Sequence, residues 1–189
     1  MAFNCPNKKD EELVTLSLSN QDFFYCLASR YEQKLLGYIR KTFFLSLHDC
    51  QDILQNTFIK IYKNLNGFDT QLKFSSWAYR IAHNEAISFL RKKKSRPDIG
   101  SYFTEEEYQK ISSDFNLEHQ LDREFQKDKV NEILSTLDEK YREVLVLRFL
   151  ENKSYEEISD IIKRPIGTVA TLIKRAKINF KKSLEANYD

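Results

Sequence analysis

The chain has 189 residues, with 30 lysines and arginines against 28 acids, a formal charge of +2 and 41% apolar residues. That is length for one ordinary domain or two small ones, and with so small a net charge any nucleic-acid surface has to be local. No apolar run approaches the roughly 20 residues that span a bilayer, and MAFNCPNKKDEELV has no signal-like apolar stretch; four glycines and three scattered cysteines offer no phosphate-cradling loop, disulfide framework or zinc site.

In chain order, the N-terminus reads as loose until Asn20, which can cap a helix carrying Phe23, Phe24, Leu27, Tyr31, Leu35 and Tyr38 on one broad apolar face. A second helix is predicted over 49–65, with Leu54, Phe58, Ile61 and Leu65 inward and Asn66-Gly67 ending it in a turn. Ser75 or Ser76 starts a third, in which Phe74, Trp77, Ala78, Ile81 and Phe89 pack, and which runs into the basic cluster Arg91 to Arg96 before Pro97 stops it. From Pro97 the periodicity fades and acids gather, as expected of a linker over 97–124, with a short helix around Glu105 to Ile111. Periodicity returns near Phe125 with Val130, Ile133 and Leu134, and a further helix over 138–150 carries Val144, Leu145, Leu147 and Phe149. Cys5, Cys26 and Cys50 read as ordinary thiols.

The last segment, SYEEISDIIKRPIGTVATLIKRAKINFKK, is the most informative. Ser154 and Glu157 can form a capping box, after which Tyr155, Ile158, Ile161 and Ile162 share a face. Pro165 cannot continue that helix and suits the start of the next, so a turn falls at Lys163 and Arg164. The second helix stripes Val169, Leu172, Ile173, Ala176 and Phe180 on one side and Thr171, Lys174, Arg175 and Lys182 on the other, with no acid between Lys163 and Lys182. A solvated helix mixes signs to gain helical ion pairs, so a face of one sign points to an anion. The pattern is that of a helix-turn-helix whose second helix enters a DNA major groove; two amphipathic helices of an ordinary bundle are the alternative.

Two more faces stand out. With the apolar stripe of the 49–65 helix inward, Asp52, Asn56 and Ile59 point out beside Gln55, which suits either a docked partner helix or a solvated face with one stray isoleucine. Between Asn66 and Lys94 aromatics alternate with cations and amides, the combination that holds unpaired bases. Phe74 and Trp77 serve a core equally well, whereas Arg80, Asn84 and the run Arg91 to Lys94 do not fit one.

QDILQNTFIKIYKNL and FSSWAYRIAHNEAISFLRKKK together resemble the second conserved region of bacterial RNA polymerase sigma factors of the extracytoplasmic-function group, and LDEKYREVLVLRFLENKSYEEISDIIKRPIGTVATLIKRAK resembles their fourth. The resemblance implies an all-α fold of two small helical domains joined by an acidic linker, the C-terminal one holding the helix-turn-helix: 1–96 for core polymerase docking and minus-ten strand capture, 97–124 as linker, and 125–189 for the minus-thirty-five element. It implies polymerase contacts at Asp52, Gln55, Asn56 and Ile59. Single-strand contacts fall at Asn66, Phe68, Lys73, Arg80, Asn84, Arg91 and Lys92, and duplex contacts at Thr168, Thr171, Lys174, Arg175, Lys177 and Lys181. Core RNA polymerase and promoter DNA are the implied partners, with an inhibitory anti-sigma factor known for many relatives; no cofactor, metal, small-molecule substrate, membrane insertion or catalytic residue is expected, and the location is cytoplasmic.

The chain departs from the family at Asn56, where an acid is usual, at Ser88, near a usual aspartate, at Lys163, where the turn often has glycine, and at Ala170 and Leu172, where the recognition helix often has cations. These bear on docking strength and on which duplex is read. The expected function is a transcription initiation factor that gives core polymerase its promoter and assists melting; the alternative is a stand-alone helix-turn-helix regulator that binds operator duplex without polymerase.

Overall fold

The computed structural model describes residues 7–95 and 121–186, with side chains from 129 onward in the second stretch. The expected short helix around Glu105 to Ile111 lies outside the described residues, as does most of the linker. Helices account for the fold, and among the described residues there is no strand.

The N-terminal module is built from α1 (Asp10–Ser19), α2 (Asp22–Phe43), α3 (Leu47–Asn64), a 3-10 turn (Leu65–Gly67) and α4 (Phe74–Lys94). The stretch 10–19, expected to be loose, is a helix, because α1 buries Leu13 and Val14 completely. Its acids explain why it holds: Asp10 accepts from Arg30 and from the Tyr31 hydroxyl, and Glu11 Oε1 accepts from the Phe74 backbone amide at 3.0 Å. That last bond caps α4 from outside, so neither Ser75 nor Ser76 does so. Asn20 does serve α2, its side chain accepting from the Asp22 amide at 2.9 Å. Helix α3 starts two residues before the expected Asp49, since Ser46 takes the Asp49 amide at 3.1 Å as its N-cap.

Where these helices meet, Tyr31, Phe68, Phe74 and Trp77 stack edge to face or tilted at centroid distances of 4.9 to 5.8 Å. Cys50 is a free thiol whose burial pushes its pKa up to about 12, so it is inert as a nucleophile. Cys26 is disulfide-bonded, which corrects its reading as an ordinary thiol.

The C-terminal module comprises α5 (Leu121–Thr136), α6 (Glu139–Leu145) continuing as a π-helical turn (Val146–Leu150), α7 (Tyr155–Ile162) and α8 (Ile166–Ala186). The capping box of α7 is formed on both sides, Ser154 Oγ accepting from the Glu157 amide at 3.2 Å and Glu157 Oε2 from the Ser154 amide at 2.8 Å. Lys163 stops α7 in the left-handed conformation at φ 53°, and the Thr168 and Val169 amides donate to the Pro165 carbonyl to start α8. Ile158, Ile161, Val169, Ile173 and Ala176 are buried together, as the two stripes require.

The modules pack on one another. α2 and α4 of the first meet α6, the π turn and α7 of the second, which places the helix-turn-helix beside the helix expected to hold unpaired bases.

Candidate nucleic-acid interfaces

On α8 the residues expected to touch duplex DNA all face solvent: Thr168, Thr171, Lys174, Arg175, Lys177 and Lys181 are exposed while the opposite stripe is in the core. A 21-residue helix with one face fixed and the other clear has the form needed to enter a major groove. Thr171 Oγ1 donates to the Gly167 carbonyl at 2.9 Å, so the methyl and the oxygen lone pairs are what it offers outward. Lys177 Nζ lies 5.3 Å over the Phe149 ring, and Lys181 has Glu185 at 3.6 Å. Leu172 is partly buried against the core, so it serves packing.

On α3, Asp52, Gln55, Asn56 and Ile59 are exposed along one side, with Ile53, Leu54, Thr57 and Ile61 buried on the other. Ile59 keeps 44% of its surface exposed and Tyr62, one turn on, 43%. The two form an apolar strip bordered by amides and an acid, a surface suited to a docked helix.

The expected single-strand residues divide. Asn66, Asn84, Arg91 and Lys92 are exposed. Phe68 is not available: it is 8% exposed, its ring 4.9 Å from Trp77 and 5.8 Å from Phe74, so it shapes the turn from inside and offers no face for stacking. Phe74 is likewise core, whereas Trp77 is half-buried at its edge. Lys73 and Arg80 are both engaged. Arg80 reaches Asp160 Oδ1 of α7 at 2.6 Å, and Lys73 Nζ lies 3.2 Å from Glu157 Oε1 of the same helix.

Those two pairs belong to a polar seam between the modules that the sequence reading misses. The Tyr79 hydroxyl donates to Glu151, and Lys153, only 8% exposed, donates to Ser75 Oγ at 3.2 Å with its ammonium 4.3 Å over the Tyr79 ring. His83 Nδ1 stands 2.7 Å from Glu143 Oε1 and 3.3 Å from the Tyr38 hydroxyl. Arg142 donates to the Thr42 carbonyl at 2.7 Å, near the C-terminus of α2, and stacks 4.6 Å from Phe44, itself left-handed at φ 47°.

Electrostatics follow the seam. Burial, with Glu151 next, raises the Tyr79 pKa, and burial lowers that of Lys153 against the pull of Glu157 and Glu151. For Glu157 burial acts to raise the pKa, but hydrogen bonds from the Ser154 amide and Lys73 outweigh it and hold the carboxyl below its ordinary value. One signal was available in sequence: the acids of SYEEISD are the complement of the cations of the 73–94 stretch.

A two-module helical protein with a helix-turn-helix at one end and an aromatic, cationic helix at the other is the class that the fold and these faces define. Residues 27–96 match the model of Sigma-70 region 2 and residues 127–179 that of Sigma-70, region 4. The ECF RNA polymerase sigma factor SigW of Bacillus subtilis is 33% identical over 175 residues, covering 87% of this chain and 90% of the relative. RNA polymerase sigma-H factor of Pseudomonas aeruginosa is 32% identical, covering 94% and 95%. Among solved structures, CnrH in complex with the cytosolic domain of CnrY shares the fold at a TM-score of 0.69 and 23% identity, covering 95% of this chain and 99% of that one. RpoE of Bartonella quintana, in complex with the anti-sigma factor NepR, does so at 0.66 and 19%, covering 86% and 96%. The chain belongs to the ECF RNA polymerase sigma factors of the sigma-70 family. Among the described residues no helix is long and apolar enough to cross a membrane.

Proposed function

We propose that this chain is a transcription initiation factor that binds core RNA polymerase through the outer side of α3, reads the minus-thirty-five element with α8, and captures the displaced strand of the minus-ten element with α4 and the turn before it. The observation that carries the reading is the pairing of an exposed α8 face bearing Lys174, Arg175, Lys177 and Lys181 with an exposed amide-rimmed apolar strip on α3 in one chain. A stand-alone operator-binding regulator has use for the first and none for the second.

Each step is binding, and no bond is made or broken by the chain itself. Lys174, Arg175, Lys177 and Lys181 neutralise phosphates and set the register, while Thr168 and Thr171 at the helix start reach base edges. Taking a base out of the duplex costs a few kcal/mol of stacking and pairing. With no fuel in the system, strand binding through Asn66, Lys73, Arg80, Asn84, Arg91 and Lys92 has to offset that cost, with the half-buried Trp77 the one aromatic of the group at the surface. The chain acts in the cytoplasm with the polymerase, and its domains divide at 1–96, 97–124 and 125–189. Helix α5, which leads into the third of these, begins at Leu121.

Run-off transcription with purified bacterial core enzyme on a genomic promoter library tests this directly. Transcripts that require both chain and core are expected; tight, specific gel shifts by the chain alone, without core-dependent transcripts, would establish the regulator instead.

A further inference from the structure

Among the described residues Lys153 is the one charged side chain that is buried, at 8% exposed. An ammonium carries three donors, and a buried charge without an anionic partner is costly. One donor goes to Ser75 Oγ at 3.2 Å, and the Tyr79 ring takes the charge at 4.3 Å. Neither partner is an anion. The two acids whose charges act on Lys153 are engaged elsewhere, Glu157 with the Ser154 amide and Lys73, Glu151 with the Tyr79 hydroxyl. Among the described residues no carboxylate forms an ion pair with Lys153.

Lys34, one turn past Tyr31 on α2, is in a similar position. It is exposed and has no ion pair among the described residues, its ammonium standing 5.4 Å from the Tyr31 ring centroid. The two lysines come from different modules and line one cleft of about 320 Å³ with Tyr31, Ser75, Tyr79 and Glu151, and with the exposed Asn152. A cavity of that size takes a small molecule. Burial lowers the Lys153 pKa most, Lys34 and Lys73 lower it further, and Glu157 and Glu151 oppose them. An anion in the cleft offsets both the burial and the repulsion between ammoniums.

Of the small anions, a phosphoryl group matches the donors best. It carries close to two negative charges at neutral pH and three acceptor oxygens, and lysine is its usual point-charge partner. The two ammoniums balance its charge, and Ser75 and Asn152 supply hydroxyl and amide donors. A carboxylate, with one charge, leaves one ammonium unbalanced. Glu151 is the one acid of the lining and repels such a ligand, so its removal should strengthen binding.

We propose that the cleft between α2, α4 and the loop before α7 is a small-anion site in which Lys34 and Lys153 together hold a phosphoryl group, borne by inorganic phosphate or by a small phosphate ester. The site is separate from the duplex face of α8 and from the apolar strip of α3, and its occupancy needs neither DNA nor polymerase.

The test is calorimetric titration of the full chain with inorganic phosphate, ribose 5-phosphate and adenosine 5'-monophosphate in turn, at a physiological ionic strength that screens loose surface attraction. Saturable one-to-one binding is expected. Lys34→Met should weaken it about tenfold and Lys153→Met should abolish it. Glu151→Gln, which keeps an acceptor for the Tyr79 hydroxyl, should strengthen it about threefold. Lys9→Met, at an exposed lysine before α1, should change nothing.

Circular dichroism checks the fold of each variant. Lys34 is at the surface, so its result stands even if Lys153→Met fails to fold. Equal affinity for the three probes would identify free phosphate as the ligand, and tighter binding of the two esters would identify an ester; either result supports the site. No saturation with any probe, or binding that Lys34→Met and Glu151→Gln leave unchanged, would overturn it. An equal loss on Lys9→Met would reduce the binding to general surface charge and overturn it as well.

Discussion

Lys174 and Arg175 on α8 make no ion pair among the described residues, whereas Arg80 on α4 is held by Asp160 and Lys73 just before α4 by Glu157. Both helices are of similar length and both are basic on their outer side. The difference is where the nearest acids are. Around α8 the sequence places none from Lys163 to Lys182, and among the described residues none from elsewhere pairs with Lys174 or Arg175, while Lys181 has Glu185 at 3.6 Å. Around α4 the neighbouring acids come from 80 residues further along the chain, and only the packing of the two modules delivers them. A cationic face can thus stand open to a ligand, or be met by acids from a distant part of the same chain.

The largest effect is expected where neither basic face is touched. Ile59→Asp places a carboxylate in the middle of the α3 strip, and burying it without a partner costs several kcal/mol. Co-purification with core RNA polymerase should fall more than about a hundredfold, on the scale of 1.4 kcal/mol per factor of ten, with helicity unchanged by circular dichroism. Normal co-purification would leave that face idle.

Next comes the clear side of the comparison. Lys174→Ala with Arg175→Ala should weaken promoter binding and flatten its salt dependence, each lost phosphate contact reducing the slope by about one. Measured as holoenzyme affinity over a salt titration, an unchanged slope would remove both residues from the DNA interface.

Smaller effects concern the helix that joins the two faces. Ser154→Ala removes one half of the capping box and should lower stability by about 1 kcal/mol in urea unfolding. It should also loosen Glu157, whose carboxylate the box aims toward Lys73. Acid should act on the same carboxylate. A group whose folded pKa is depressed contributes stability above its unfolded value and loses it as the pH falls through the folded value. The stability that Glu157 contributes should therefore be fully present at neutral pH and be lost only as the pH falls below its ordinary 4.5, as followed by urea unfolding over a pH series.

The smallest effect is expected at the turn. Lys163 is left-handed at φ 53° where glycine would carry no steric penalty, though glycine adds freedom to the unfolded chain and the pair with Asp160 would be lost. Lys163→Gly should raise stability by about 0.5 kcal/mol, read as a small rise in Tm. A fall would mean that the lysine pair outweighs the backbone strain.

The helix-turn-helix is legible in the sequence almost residue for residue because its determinants are local. The cap, the three-residue reach of Glu157, the proline at the turn and the spacing of the two stripes all lie within one helix or one turn of each other. The exposed side of α3 is legible for the same reason: period alone decides that Ile59 points away when Ile61 and Leu54 point in. What escapes is non-local. Helix α1 looks loose because its binary pattern is weak, yet its acids find Arg30, Tyr31 and the Phe74 amide. The same amide explains the misplaced cap of α4, since a carboxylate from a distant helix can satisfy a free helix-start donor as well as a neighbouring serine can. Phe68 reads as a base-stacking aromatic because composition gives its type and not its side of the turn.

By itself the sequence determined the all-helical class, the two modules and the faces of α3 and α8, since periodicity, capping and the sign of charge act over a few residues. The tertiary structure alone decided which polar groups meet across the modules. Asp160 on Arg80, Glu157 on Lys73 and Arg142 at the end of α2 are juxtapositions of groups far apart in the chain. Hydrogen bonds and ion pairs act only within a few ångströms, and which distant residues come that close is fixed by how whole helices pack.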